Sequence, residues 1–194
     1  MGLSLSSGPS VEPVTTAEAK THLRVDTSDD DTYIAALITA ARIYVEKAQR
    51  RALISQTWAW TLDEFPSGLT PLEPPHAPLQ SVTSIAYTDA DGDSQTWASS
   101  GYDVDTTSFV GRIVPGYGES YPGTRDEIDA VTVTYVAGYG AASTDVPDTT
   151  IHAIKLMVAH WHENREPVIS GTIIAPVPMT AEALINIEKI VTVP

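Results

Sequence analysis

The sequence predicts an α+β protein, with a helical core of N- and C-terminal helices and an inserted small antiparallel β sandwich or barrel. Two amphipathic helical patterns, at about 29–51 and 147–166, flank a middle zone of short alternating strands. Neither helix can leave its apolar face in water, and each offers the other a partner, so we expect them to pack together. The β zone is therefore predicted to be an insertion into a helical domain.

The N-terminal zone is helical. Thr15 and Thr16 precede Ala17–Lys20, a pattern typical of a capped short helix that ends near Leu23. Ser28 lies three residues before Asp31, which resembles a capping box at the start of the next helix. That helix has apolar residues at spacings of three and four, namely Ile34, Leu37, Ile38, Ala41, Val45 and Ala48.

The middle zone alternates with period two. Trp58, Trp60 and Leu62 are separated by Ala59 and Thr61, as in a half-buried strand. Asp91-Gly92 is typical of a hairpin turn, and 130–136 is the clearest strand of the chain. Short strands with turn signals at this spacing indicate a small antiparallel sandwich or barrel.

The chain returns to helix after Pro147, and Pro167 stops that helix. Residues 168–179 are predicted to be an extended linker, followed by a short helix that Thr180 caps. The expected organisation is a flexible arm over 1–13, a helical core over 14–52 and 146–166, an inserted β domain over 53–145, and an extended linker and C-terminal segment over 167–194.

The charge is unevenly distributed. The formal net charge is −14, and residues 52–148 contain fourteen acidic and two basic residues. Phosphate affinity comes from clustered Lys and Arg, so general nucleic-acid binding is excluded. Two interpretations remain: a solvated acidic surface that maintains solubility, or a surface that repels DNA as it slides past. No apolar run approaches the roughly 20 residues of a membrane span, and the chain has no cysteine.

No motif in the sequence supports catalysis. His160 and His162 are two residues apart, so on one helix they point about 200° apart and cannot share a metal. The aspartates at 26–31 lack the glycine and glutamate positions of an EF-hand, and helix capping explains them better. There is no phosphate-binding GxxxxGK[ST] loop and no GxSxG elbow. We therefore expect no enzyme activity, no cofactor and no metal.

Several segments in order resemble the head–tail connector (adaptor) family of tailed phages. They are PVTTAEAKTHLRVD at 13–26, IAALITAAR at 34–42, RALISQTW at 51–58, PLQSV at 78–82, VAGYG at 136–140 and HWHENRE at 160–166. The resemblance covers about 10–190. Relatives usually place Tyr at the position of His162, and the tail from Ile187 to Pro194 is unusual.

The resemblance implies a structural subunit of a virion, made in the host cytoplasm and located at the head–tail junction of a phage or a gene transfer agent. Such subunits form a ring, usually dodecameric, under the portal protein. The ring extends the DNA channel, so DNA only passes through, and it carries the next neck or tail-completion protein. No membrane is involved. On this basis we predict inter-subunit or portal contacts at Tyr44, Trp161, His162, Arg165, Ile173, Ile174, Leu184 and Ile187.

Two alternatives come from other classes of protein. The β zone could bind a ligand such as a glycan through Trp58, Trp60 or Trp97, although alternating tryptophans on a strand more often belong to a core. A hydrolase of phage origin is the residual alternative, and it requires activity that is lost on mutation of one His or Asp.

Overall fold

The computed structural model describes residues 1–165, 168–169, 172–173 and 177–190, and the chain divides into two compact units. Unit 1 comprises Met1–Pro9 and Ser55–Tyr139, and unit 2 comprises Ser10–Ile54 and Gly140–Pro194. Unit 1 is β-rich and unit 2 is mainly helical, so the α+β class is confirmed.

Unit 1 is built on a five-stranded antiparallel sheet in the order β1-β2-β7-β3-β4. Its strands are β1 (Gly2–Ser7), β2 (Gln56–Leu62), β3 (Leu79–Thr88), β4 (Ser94–Thr96) and β7 (Val131–Ala137). A second sheet pairs β5 (Tyr102–Asp105) with β6 (Arg112–Pro115). Of the predicted sandwich or barrel, the barrel alternative was wrong, because among the described residues the edge strands β1 and β4 do not pair and β4 has only three residues.

The sheet has one deeply buried face. Along β7, Val131, Val133 and Tyr135 are fully buried, whereas the alternating Thr132 and Thr134 are partly exposed. Aromatic rings pack in this unit around Phe65, whose centroid lies 5.2 to 5.8 Å from those of Tyr121, Trp97 and Tyr87. The predicted Asp91-Gly92 turn connects β3 to β4, and Gly92 has φ of 94°, which suits glycine.

The N-terminal arm is a strand rather than a flexible segment. β1 pairs with β2, with Leu3 opposite Trp60 and Leu5 opposite Trp58. The Ser/Gly content of this segment suggested flexibility, but Leu3 and Leu5 alternate with serines and place two apolar side chains beside the tryptophans. The prediction of a flexible arm over 1–13 is therefore wrong for residues 2–7, which form β1.

Unit 2 contains α1 (Thr16–Leu23), α2 (Asp31–Gln49), α3 (Asp148–Glu163), the short antiparallel pair β8 (Val168–Ile169) and β9 (Thr172–Ile173), and α4 (Met179–Ile187). Its core is formed by apolar residues with at most 3% exposure, including Val14, Ile34, Ile38, Val45, Ile154, Met157 and Ile185. Ile34, Ile38, Val45 and Ile154 occupy the predicted three- and four-residue spacings, whereas Val14, Met157 and Ile185 are core residues that the predicted stripes did not contain.

The helix ends follow local chemistry. The predicted cap at Thr15 is confirmed as a capping box: Thr15 Oγ1 accepts from the Glu18 amide at 3.2 Å, and a Glu18 carboxylate oxygen accepts from the Thr15 amide at 2.9 Å. The Ser28–Asp31 capping box was wrong. The N-cap of α2 is Asp30, which makes no side-chain cap bond because its carboxylate accepts from Arg165 instead.

Candidate subunit interface

Between Tyr33 and Lys47, the outer face of α2 has no charged side chain. Ala36, Ala40, Ile43 and Tyr44 are exposed at helical spacing, and Ile43 and Tyr44 keep 41% and 43% of their surface. The opposite side of the helix is the buried core. An exposed apolar patch on a helix is typical of a surface that another protein covers, so this face is a candidate interface.

The charged residues of α2 between Tyr33 and Lys47 do not reach the outer face. They are Arg42 and Glu46, both 8% exposed, and they pair at 2.8 Å. Arg42 Nε also donates to Glu12 at 2.8 Å. The pairing leaves nearly four turns of outer surface uncharged, and it fixes the segment that precedes α1 against α2.

A cleft lies between this segment and α2. It has a volume of about 240 Å³ and is lined by Val11, Glu12, Val14, Thr15, Thr16, Ala35, Ile38 and Thr39. Thr39 Oγ1 donates to Glu12 at 2.9 Å, so the polar groups of the wall are engaged with one another. The volume is below the roughly 300 Å³ at which small-molecule sites begin, and it suits one protruding side chain.

Residues at and just after the C-terminal end of α3 contact residues at the start of α2. Arg165 donates to an Asp30 oxygen at 2.9 Å, and its guanidinium lies 4.5 Å from the centroid of the Tyr33 ring. The hydroxyl of Tyr33 donates to the Trp161 carbonyl at 3.4 Å. The hydrogen bond from Arg165 is the main cause that holds the pKa of Asp30 below its ordinary value.

His162 belongs to the same cluster. Its Nε2 lies 3.5 Å from the Asp30 carboxylate, and its ring centroid lies 6.1 Å from that of Tyr33. The structure therefore brings three predicted contact residues, Trp161, His162 and Arg165, together within one subunit. Arg165 keeps 53% of its side chain exposed, so the cluster is reachable from outside.

The C-terminal helix rests on α2 and α3 of its own chain. The buried Gln49 side chain donates to the Ile185 carbonyl at 3.2 Å, and Arg51 Nε donates to the Glu188 carbonyl at 2.7 Å. Leu184 is half-buried and Ile187 is 62% exposed. α4 thus contacts its own core with one side and presents apolar surface on the other.

The two remaining predicted residues lie in the preceding segment. Ile173 is in β9, whose backbone pairs with β8. Ile174 lies outside the described residues. Tyr44, in contrast, is on the exposed outer face of α2, well separated in sequence from both.

Sequence reasoning missed the cleft, Ala36, Ala40 and Ile43. The signal for the three residues was present, since they fall on the side of α2 opposite the apolar stripe and yet carry no charge. The cleft had no sequence signal, because it depends on where the segment before α1 crosses the helix.

The histidines do not form a metal centre in the part of the chain that the structure describes. No group of three or more potential ligands occurs there. The His22 and His152 rings meet edge to face at a centroid distance of 6.2 Å, which is ring packing without a third ligand. Likewise, none of the described helices combines the length and apolarity needed to cross a bilayer.

The tryptophans proposed for glycan binding are largely inaccessible. Trp60 and Trp97 are 5% and 9% exposed, and Trp97 packs on Tyr102 at 5.0 Å. Trp58 stacks on His76 with the ring centroids 4.2 Å apart. Burial removes Trp60 and Trp97 as a stacking platform for a sugar, because such a platform must present an open ring face.

The chain is similar in fold to subunits of phage-like particles. Three solved structures cover 100% of this chain and 98% of theirs: "Virion of native gene transfer agent (GTA) particle" (24% identity, TM-score 0.81), "Neck of empty GTA particle computed with C6 symmetry" (24%, 0.82) and "Neck of native GTA particle computed with C12 symmetry" (23%, 0.76). Among curated proteins, none matches the chain.

The matched fold is therefore that of a neck component of a phage-like particle. Residues 14–108 match the family described as phage gp6-like head-tail connector protein. This match covers 95 of the 194 residues, just under half of the chain, and over these residues the chain is similar to the head–tail connector family.

Proposed function

We propose that this chain forms a ring beneath the portal of a tailed phage or gene transfer agent, at the head–tail junction of the virion. The observation that carries the proposal is the uncharged outer face of α2, which no described residue of the chain covers. The gene transfer agent structures were computed with sixfold and twelvefold symmetry. A ring of identical subunits supplies a protein cover for such a face in every copy.

The two units differ in charge, which supports a different role for each of them. Unit 1 contains twelve acidic and two basic residues, and unit 2 contains thirteen and nine. Copies with a net charge of −14 repel one another, so they associate through their least charged surfaces. We assign self-assembly to unit 2, and to the acidic unit 1 an outward or channel-facing position at which DNA passes without binding.

The predicted partners follow from this position. The ring extends the DNA channel from the portal above it and provides a docking platform for the next neck or tail-completion protein. The Trp161–Arg165 cluster and the apolar side of α4, with Leu184 and Ile187, are assigned to contacts with the portal or a neighbouring subunit. The role requires no catalysis, no cofactor and no metal.

Electron microscopy with mass measurement tests the ring, with the purified chain alone and after addition of its portal. We expect closed rings on the portal. Ala40→Glu places a charge on the outer face of α2 and should reduce ring formation at least tenfold. Ala90→Glu, at an exposed alanine of unit 1, is the matched control and should assemble normally.

The proposal fails if the wild-type chain stays monomeric at high concentration and also does not bind the portal. It also loses its main support if Ala40→Glu assembles as well as Ala90→Glu, because the outer face of α2 would then be solvent-exposed in the particle. Retention of duplex DNA by the isolated chain at moderate salt would contradict the assignment of unit 1.

A further inference from the structure

We propose that Tyr44 of one subunit inserts into the cleft lined by Val11, Ala35, Ile38 and Thr39 of the next subunit. The inference rests on the proposed ring and names the contact that closes it. Hereafter Tyr44 is the knob, and the cleft of about 240 Å³ is the socket.

The first step is chemical fit. The knob is an aromatic side chain that keeps 43% of its surface exposed on an uncharged helix face. The socket has an apolar floor, because Val14 and Ile38 are at most 1% exposed, and an open rim at Val11 and Ala35. Rigid aromatic anchors in well-packed pockets are the usual centres of protein interfaces.

The second step is direction. Each residue of an α-helix advances about 100° around the axis. Tyr44 follows Ala35, Ile38 and Thr39 by nine, six and five residues. Around the helix axis, the knob is therefore separated from these three socket residues by about 180°, 120° and 140°. Knob and socket therefore lie on nearly opposite sides of α2.

Opposite placement is what a ring needs. A ring contact is heterologous, so one face of each copy meets a different face of its neighbour. In a ring of twelve, the two contact directions of one copy differ by about 150°. The knob and the socket meet this requirement when α2 runs roughly along the ring axis, whereas a two-fold dimer would use the same face twice.

The third step is charge. The exposed Lys47 lies one turn after Tyr44, and it makes no ion pair among the residues that the structure describes. Glu12 in the socket wall is paired with Arg42, and Glu18 next to the socket is paired with Lys155 at 3.5 Å but keeps 47% of its side chain exposed. Lys47 beside the knob and Glu18 beside the socket are therefore of opposite sign, which favours this pairing between otherwise acidic copies.

Alanine substitution gives the first test. Tyr44→Ala is expected to lower the yield of rings on the portal at least tenfold while its circular dichroism and unfolding midpoint match the wild type. Tyr117→Ala is the control, since Tyr117 is a fully exposed tyrosine of unit 1. Ala35→Trp fills the rim of the socket from its own chain and should block assembly to a similar extent.

Thiol crosslinking gives the second test. The chain has no cysteine of its own, so only the introduced thiols react. In chains that keep Tyr44 and carry both Lys47→Cys, one turn after the knob, and Ala35→Cys, a short bismaleimide should produce a ladder that ends at the closed ring. A mixture of the two single variants should stop at covalent dimers. Self-crosslinking of Lys47→Cys alone would show a two-fold contact and overturn the inference.

The two proposals fail separately. Wild-type ring yield in Tyr44→Ala, together with no crosslink between positions 47 and 35 in the double-cysteine chain, overturns the knob-and-socket contact but leaves the ring intact. Absence of any ring or portal complex in the wild-type chain overturns the proposed function itself.

Discussion

The most direct test of the helical unit is replacement of Gln49 by alanine. Gln49 is fully buried, and its side-chain nitrogen donates to Thr150 Oγ1 and to the Ile185 carbonyl, both at 3.2 Å. These two bonds link α2 to α3 and to α4. Gln49→Ala removes both of them and leaves a cavity at the meeting point of three helices.

The magnitude follows from the contacts. Leaving the Ile185 carbonyl and the Thr150 hydroxyl without this donor costs about 1 to 2 kcal/mol each. Loss of one buried methylene adds about 0.8 kcal/mol or somewhat more for the cavity. Gln49 Oε1 itself has no partner among the described residues, so its removal returns about 1 kcal/mol. The net expectation is a loss of about 3 kcal/mol in the free energy of unfolding of unit 2.

Urea unfolding followed by circular dichroism, together with hydrogen exchange of the amides of α4, measures this effect. Gln49→Met keeps the volume and should cost about 2 kcal/mol, because only the hydrogen-bond terms remain. Gln95→Ala, which removes an exposed side chain bonded to Asp89, should cost less than about 1 kcal/mol. The reasoning is refuted if Gln49→Ala stays within about 0.5 kcal/mol of the wild type and exchange in α4 is unchanged.

Three further predictions address other parts of the molecule. Arg42→Met leaves the carboxylates of Glu12 and Glu46 without their cation, so the free energy of unfolding of unit 2, measured in urea, should fall by about 3 kcal/mol. A fall of under about 1 kcal/mol would show that solvent screens these ion pairs. Burial lowers the pKa of His76, so the unfolded chain binds the proton more tightly and the stability of unit 1 should fall as the pH drops below about 6.5. His76→Phe should remove the contribution of this histidine to the fall in stability. An identical pH profile of stability in His76→Phe and the wild type would contradict the prediction. Arg24 ends α1 with φ of 58°, a conformation that glycine adopts without strain, so Arg24→Gly should stabilise unit 2 by about 0.5 kcal/mol in thermal unfolding, and a clear destabilisation would argue against it.

Much of the fold was predictable because its signals are local. The capping box at Thr15 needs only residues 15–18, and the hairpin at Gly92 needs only a turn dipeptide between two strands. The helices α2 and α3 were placed within about three residues of their ends by apolar periodicity. β1 was missed because four-residue alternation in a Ser/Gly-rich segment is weak, and only its pairing with β2 reveals it.

The candidate interface was predictable only in part. Tyr44 was identified, and the structure places it on an exposed helix face. Trp161, His162 and Arg165 were predicted to contact other chains, and the structure shows them in contact with Asp30 and Tyr33 of their own chain. No pattern in the sequence links residues about 130 positions apart, so this cluster could not be derived from it.

The sequence by itself determined the helical and β zones, the acidic character of the middle of the chain, and the resemblance to the connector family, because periodicity, charge and ordered motifs are properties of neighbouring residues. The tertiary structure decided the sheet order, the strand formed by the first residues, and the socket beside α2. Each of these depends on segments that are distant in the chain and meet only on folding. The knob was therefore visible in the sequence, and the socket that we assign to it was not.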